Sequence, residues 1–275
     1  MAIDHPTGGA TLRTLSGGKS DRMIAEAPLA LVVGASRLIT IRTPLGREDD
    51  EAWARGFLVG EGVVDGAHGA VSIRHDVGDD GIPEVHAELP GEAGGGLDRA
   101  HEIRPSCGLC GSLGGEGLTV DGPTLVAGRP RVSVAQVAAM ARDMRRAQPL
   151  FEATGACHAV ALFRASGQRV ALGEDVGRHN AVDKALGKVL MAGGAAELGQ
   201  LVALLSGRAG FELVAKLLRA GVPVIASISA PSALAFDLCK EAGATLLGFV
   251  RGEDARVYWD AGRIDVSSGG SDTPG

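Results

Sequence analysis

Aromatic residues are scarce in this chain: six Phe, two Trp and one Tyr make up 3% of 275 positions. Hydrophobic residues still account for 45%, so the core of a chain this long must be built mostly from Ala, Val and Leu. Cysteine is also sparse, with four residues, which argues against a disulfide framework. No apolar run approaches the ~20 residues that a membrane-spanning helix needs. The first thirty residues lack the apolar stretch of a secretory leader. Together these absences point to a cytoplasmic protein with no membrane partner. A basic excess is missing too: the formal net charge is −6, which argues against a nucleic-acid partner but leaves room for a local basic pocket. Glycine, by contrast, is plentiful at 42 residues, roughly twice the usual share. It follows no Gly-x-y period, so it predicts tight turns and loops.

Residues 1–22, rich in Gly, Ser and Thr, read as loose. "APLALVVGASRLITIRT" alternates like a hairpin, "EDDEAWARGFLVGEGVV" reads as a helix with acidic residues in its first turn, and "AVSIRHDV" and "PEVHAELP" read as strands. A Gly-rich stretch of little periodicity, about 91–117, reads as a flexible loop. "SVAQVAAMARDMRRAQP" is a helix, opened by a Ser133/Gln136 capping box and stopped at Pro149. Beyond it, strands and helices alternate through "VPVIASIS" and "PSALAFDLCKEAG", whose proline is expected near the helix's first turn, to a closing strand pair in "ATLLGFVRGEDARVYWD". The chain thus divides into a smaller N-terminal β-rich α+β domain, 23–130, an α/β domain with a mixed, partly parallel sheet, 131–264, and a disordered tail, 265–275.

Ligands of such sheets bind beyond the carboxyl ends of the strands. There stand "SGRAG", offering Ser206 and Arg208 to an anion at a helix N-terminus, "SAPS" (229–232), and "GFVRG" (248–252). None is a Walker A loop or a GxGxxG fingerprint. "GEDVGRHNAVDK" adds Arg178, His179 and Asn180, and the helical spacing suggests an imidazole at His179 held by Asp183.

"RPSCGLCGS" sets Cys107 and Cys110 three positions apart in the Gly-rich loop. Structural zinc wants a second pair, whereas Cys157 and Cys239 sit in apolar contexts as core thiols, and His158 should face away from Cys157 on a strand. A zinc deaminase needs H-x-E and then P-C-x-x-C; His86-Ala-Glu88 and Pro105-Ser-Cys107 come close, but a serine splits the second motif and the first alternates like a strand. A thioredoxin-like dithiol lacks its strand–helix setting here. A thiolate that accepts sulfane sulfur on a mobile arm remains, with Arg104 near enough in sequence to lower its pKa.

Taken in order, "EAPLALVVG", "GFLVGEGVV", "SCGLCG", "GEDVGRHNAVDKALG", "SGRAGFELVAK" and "GFVRG" followed by "VY" resemble the formate dehydrogenase accessory sulfurtransferases, the FdhD family, from about Glu26 to Trp259. The resemblance implies a three-layer, cytidine deaminase-like larger domain without zinc chemistry, and a homodimer. It implies sulfur transfer from a cysteine desulfurase to the molybdenum cofactor, as bis(molybdopterin guanine dinucleotide), for formate dehydrogenase; a guanine nucleotide would mimic part of that cofactor. Cys107 maps to the persulfide carrier and Cys110 to its companion. Phe249, Val250, Arg251, Gly252, Glu253 and Asp254 map to the cofactor-binding stretch. Family members often carry a basic residue in place of Asp254, so Arg251 or Arg256 would supply the positive charge. Ser206, Arg208, Arg178, His179 and Asn180 complete the expected cofactor cluster. A carrier chaperone with bystander cysteines and a zinc hydrolase remain as alternatives.

Overall fold

The computed structural model describes residues 8–65, 71–89 and 120–265. Cys107, Cys110, the whole of the expected Gly-rich loop and all but the first residue of the expected tail lie outside them. The first element corrects an expectation. Strands β1 (Ala10–Thr14) and β2 (Ser20–Ile24) pair antiparallel where a loose segment was expected. The turn closes with Leu15 N–H donating to the Lys19 carbonyl, and Gly18 sits at a φ of 76° that favours glycine. The backbone ladder holds these strands; their faces are largely exposed, so burial leaves little signal in the sequence.

Strands β3 (Ala27–Val33) and β4 (Ser36–Arg42) form the expected hairpin. With β5 (Ser72–Val77) and β6 (Pro83–Glu88) they make a four-stranded sheet in the order β4-β3-β6-β5. Helix α1 (Arg47–Gly60) covers it, and Trp53, Leu58, Leu29, Leu31 and Val85 fill the interface. Burying each such side chain contributes about 1.5–3 kcal/mol. The helix ends at Gly60, short of the "EGVV" expected to prolong it, because Gly62 turns the chain at a φ of 72°.

The six-stranded sheet runs β12-β11-β10-β9-β7-β8. β9 (Leu201–Leu205), β10 (Val224–Ser227) and β11 (Thr245–Arg251) are parallel, while β7 (His158–Arg164), β8 (Arg169–Asp175) and β12 (Asp254–Trp259) run against their neighbours. Strand alternation divides the core into two layers. Ala161, Phe163, Val202, Leu204 and Val224 face α2 (Val134–Arg146). A short helix, α3 (Pro149–Thr154), follows α2. Val160, Leu162, Leu201, Ala203 and Ile225 face α4 (Arg178–Met191), α5 (Phe211–Arg219) and α6 (Ala233–Glu241). The Ser133–Gln136 capping box on α2 forms as read. Pro231 stands just before the α6 N-cap, Ser232, and so outside the helix's first turn.

α1 and α4 join the two halves at very close range. A Cβ on Gly56 would sit 1.8 Å from the Asp183 carbonyl oxygen, and one on Gly187 would sit 1.7 Å from that of Ala52. Only hydrogen fits at either place.

Candidate functional site

β7 runs antiparallel to β9, so the start of β7 and the end of β9 share one sheet edge. Ser206 extends the ladder past β9: its N–H donates to the Ala159 carbonyl at 3.0 Å, and its Oγ accepts the Ala159 N–H at 2.9 Å. The Ser206 hydroxyl proton is therefore free to donate. The three post-strand segments lie in register, as the sequence suggests. Ser232 N–H reaches the Ala209 carbonyl at 3.0 Å, and Phe249 N–H reaches the Ser229 carbonyl at 3.1 Å. Gly248 permits the last approach, because a Cβ there would meet the Pro231 ring at 2.8 Å.

A cleft of about 630 Å³ opens at this edge, lined by His158, Arg178, Ser206, Arg208, Glu212 and Ser232 among others. Arg178 begins α4, Glu212 lies in the first turn of α5, and Ser232 caps α6. Three helix N-termini thus border one cavity, and their dipoles and free N–H groups favour an anion. Arg178 and Arg208 are exposed and add positive charge, while Glu212 partly offsets it through a 3.5 Å contact with Arg178.

The polar motif at the start of α4 does different work from that expected. His179 Nε2 meets Glu212 Oε2 at 2.7 Å, and Asp183 takes the Lys216 ammonium at 2.8 and 3.0 Å. The two pairs match because α4 lies against α5 and each helix carries its two partners one turn apart. The His179–Asp183 pair suggested by helical spacing therefore gives way to two interhelical pairs. Asn180 is buried and spent internally: its amide donates to the Ile41 carbonyl and to Asp175, and its oxygen accepts the Trp53 indole N–H at 3.1 Å. Of the expected Arg178–His179–Asn180 cluster, Arg178 alone lines the cleft.

Two buried lysines tie these helices to α1. Lys184, fully buried, reaches Asp49 at 2.6 Å and Asp175 at 2.7 Å. Lys216 reaches Glu61 at 2.6 Å and lies 4.9 Å from the centre of the Phe57 ring. Lys216 is thus shared between Asp183 and Glu61, and the Arg219 guanidinium stands 4.0 Å from Glu61. Burial pushes the Asp183 carboxyl up to about 7 against the pull of Lys216. Burial also lowers His179, helped by the Lys216 charge, and His158, helped by Arg178. Both imidazoles are therefore neutral at neutral pH.

The expected cofactor stretch Phe249–Asp254 flanks the first cleft without lining it. Phe249 holds a φ of 52°, a left-handed conformation that costs a non-glycine residue about 1–2 kcal/mol. Its ring lies 5.5 Å from the Arg251 guanidinium and 5.4 Å from that of Arg256. Glu253 is exposed in the following turn and Asp254 at the start of β12.

A second cleft, of about 650 Å³, shares the His158–Ser206–Gly207 wall and opens toward α2. It is lined by Cys157 as well as His158. Cys157 precedes β7, where strand alternation no longer separates neighbouring side chains, so both line the same cavity. Burial, and then the Glu174 carboxylate 3.2 Å away, raise the Cys157 thiol; burial pushes Cys239 up to about 12. Both remain protonated, as core thiols should. Among the described residues, no group of three or more His, Cys, Asp or Glu side chains is placed to hold a metal ion. His86 and Glu88 lie on strand β6, as their alternation indicates.

The model of the FdhD/NarQ family matches residues 24–265. The chain is 42% identical over 281 residues to the sulfur carrier protein FdhD of Anaeromyxobacter sp. (strain K), covering 95% of this chain and 96% of that one. It is 40% identical over 257 residues to the protein of the same name in Streptomyces avermitilis, covering 90% of each. A crystal structure from Desulfotalea psychrophila, of a protein named as a formate dehydrogenase accessory protein, shares the fold. Its TM-score is 0.66, at 24% identity, over 93% of this chain and 97% of that one.

Proposed function

The chain belongs to the FdhD/NarQ family, and from that premise we propose that it is a sulfur carrier serving formate dehydrogenase, with Cys107 as the carrying thiol. The observation that carries this reading is the match to named sulfur carriers along 95% of the chain. In the first step the Cys107 thiolate attacks the outer sulfur of a cysteine desulfurase persulfide. A new S–S bond forms on Cys107, the donor's S–S bond breaks, and the desulfurase cysteine leaves as thiolate. Cys110 assists or resolves that persulfide. In the second step the S–S bond on Cys107 breaks, Cys107 leaves as thiolate, and the sulfane sulfur passes to the molybdenum cofactor in its bis(molybdopterin guanine dinucleotide) form, which is the substrate of the transfer.

The first cleft supports this assignment on chemical grounds. Arg178, Arg208, the Ser206 hydroxyl and three helix N-termini suit the phosphate oxygens of a nucleotide arm. Arg251 and Arg256, stacked about Phe249, add charge beside it and offset Glu253 and Asp254. We place the protein in the cytoplasm, as a homodimer.

Replacing Cys107 with Ala tests the assignment. Guanine nucleotide binding is expected to survive while activation of formate dehydrogenase is lost. Retained activation would show a carrier of the cofactor whose cysteines take no part.

A further inference from the structure

Helix α1 covers one face of the four-stranded sheet. On the other face, register sets Ile39 of β4 beside Ala30 of β3, and Ile41 beside Pro28. Alternation puts Val32 on that face too. Ile39 is 41% exposed there and Ile41 51%. A sheet face turned to water is normally polar, and the next two strands obey the rule with Glu84 and His86 on β6 and Arg74 and Asp76 on β5. The apolar half-face is therefore two strands wide and ends at the sheet's edge strand, β4.

The β1–β2 ribbon is open in the same way, for every residue from Leu12 to Met23 is exposed. A two-stranded ribbon is marginal by itself in water and gains stability from a further layer. Leu12, Leu15 and Met23 of the ribbon, with Ile39 and Ile41, are five of the eight large apolar side chains that stand exposed among the described residues. Charge matches as well. The ribbon carries Arg13, Lys19 and Arg22 against Asp21, whereas residues 72–88, beside the half-face, carry five carboxylates against Arg74. Two of those carboxylates, Asp80 and Glu84, pair with Arg37.

We propose that the apolar half-face receives the β1–β2 ribbon of a second copy of this chain, and that the exchange is reciprocal. Each copy brings one ribbon and one half-face, so a twofold pair covers all four surfaces and closes the assembly at two. The ribbon's two strands span ~10 Å, which is the width of β3 and β4. Gly8 N–H donates to the Pro44 carbonyl at 3.3 Å and roots the ribbon just past the end of β4. Opposite charge on the two surfaces favours this pairing and fixes its orientation. The assignment rests on the homodimer proposed above and names the surface that makes it.

Sedimentation velocity over a dilution series, joined to hydrogen exchange, tests it on the full chain. The wild type is expected to be a dimer. Leu12→Glu on the ribbon and Ile39→Glu on the sheet should each weaken it about 100-fold, because each puts an unpaired charge into both copies of the contact. Both side chains are exposed within one chain, so each variant should still fold. Val77→Glu, at another exposed apolar position, should leave the dimer unchanged. Amides of residues 10–24 are expected to exchange slowly in the wild-type dimer and quickly in Ile39→Glu, although Ile39 lies outside the ribbon. A wild-type dimer whose dissociation constant holds in both variants overturns the exchanged ribbon and leaves the homodimer standing. A monomeric wild type overturns both, and in either case the sulfur-carrier reading is untouched.

Discussion

Gly56 on α1 faces the main chain of Asp183 on α4 so closely that a Cβ would lie 1.8 Å from the Asp183 carbonyl oxygen. The obstacle is backbone, which cannot rotate away as a side chain would, and the mirror contact at Gly187 closes the other end. The two halves of the chain are therefore fixed to each other by missing side chains as much as by charge. Gly56→Ala and Gly187→Ala are each expected to destabilise the fold by about 1–3 kcal/mol or more through overpacking. Urea denaturation measures it, and an unchanged midpoint would show that the helices can move apart freely.

Lys216 neutralises two buried carboxylates, Asp183 and Glu61. Lys216→Met keeps most of the volume but leaves Asp183 without its cation and Glu61 with only the Arg219 guanidinium, 4.0 Å away. The expected loss is about 3–5 kcal/mol, as for a broken buried pair. Glu61→Gln in the same background should recover part of it, because one of the stranded charges is then gone.

Asp183 gives that cluster a pH signature. Its carboxyl is raised by burial from 3.8 to about 7 in the folded state. A raised folded-state value means that folding favours the protonated acid. This contribution is fully present below pH 4 and is lost as pH rises through 7. Between pH 4 and 7 the melting temperature should therefore fall with rising pH more steeply in the wild type than in Asp183→Asn, which has no proton to lose. Parallel melting curves for the two proteins over that range would remove Asp183 from the account.

On the proposed function Ser206 and Arg208 face the ligand: Arg208 is exposed, and Ser206 Oγ, which accepts the Ala159 N–H, keeps its own proton to donate. Arg208→Ala should weaken guanosine diphosphate by about tenfold, in the range of a charge-assisted hydrogen bond reduced by exposure. The melting temperature should stay within a degree or two. Ser206→Ala should cost less affinity but some stability, since the Ala159 N–H loses its acceptor.

Much of the fold is written in local pattern. The β3–β4 hairpin, the capped helix α2 and the alternation after residue 158 all follow from spacing and caps. The β1–β2 hairpin was hidden because its side chains, Leu12 and Met23 among them, are mostly exposed and leave no burial pattern. The gathering of the three post-strand loops at one edge was legible, since strand ends in a parallel sheet meet there. Its partnerships were not. His179 and Asp183 are one turn apart, but α5 brings Glu212 and Lys216 alongside, and a contact across 33 residues leaves no local spacing to read. The place of His158 in the cleft wall was hidden for the same reason: β7 reaches the edge only because it runs antiparallel to β9.

The sulfur-carrying role of Cys107 is tested most directly by intact mass spectrometry after incubation with a cysteine desulfurase and free cysteine. The expected result is a gain of one sulfur atom that reductant removes and that Cys107→Ala does not show. An unchanged mass in the wild type, or the same gain in the Cys107→Ala variant, would contradict it.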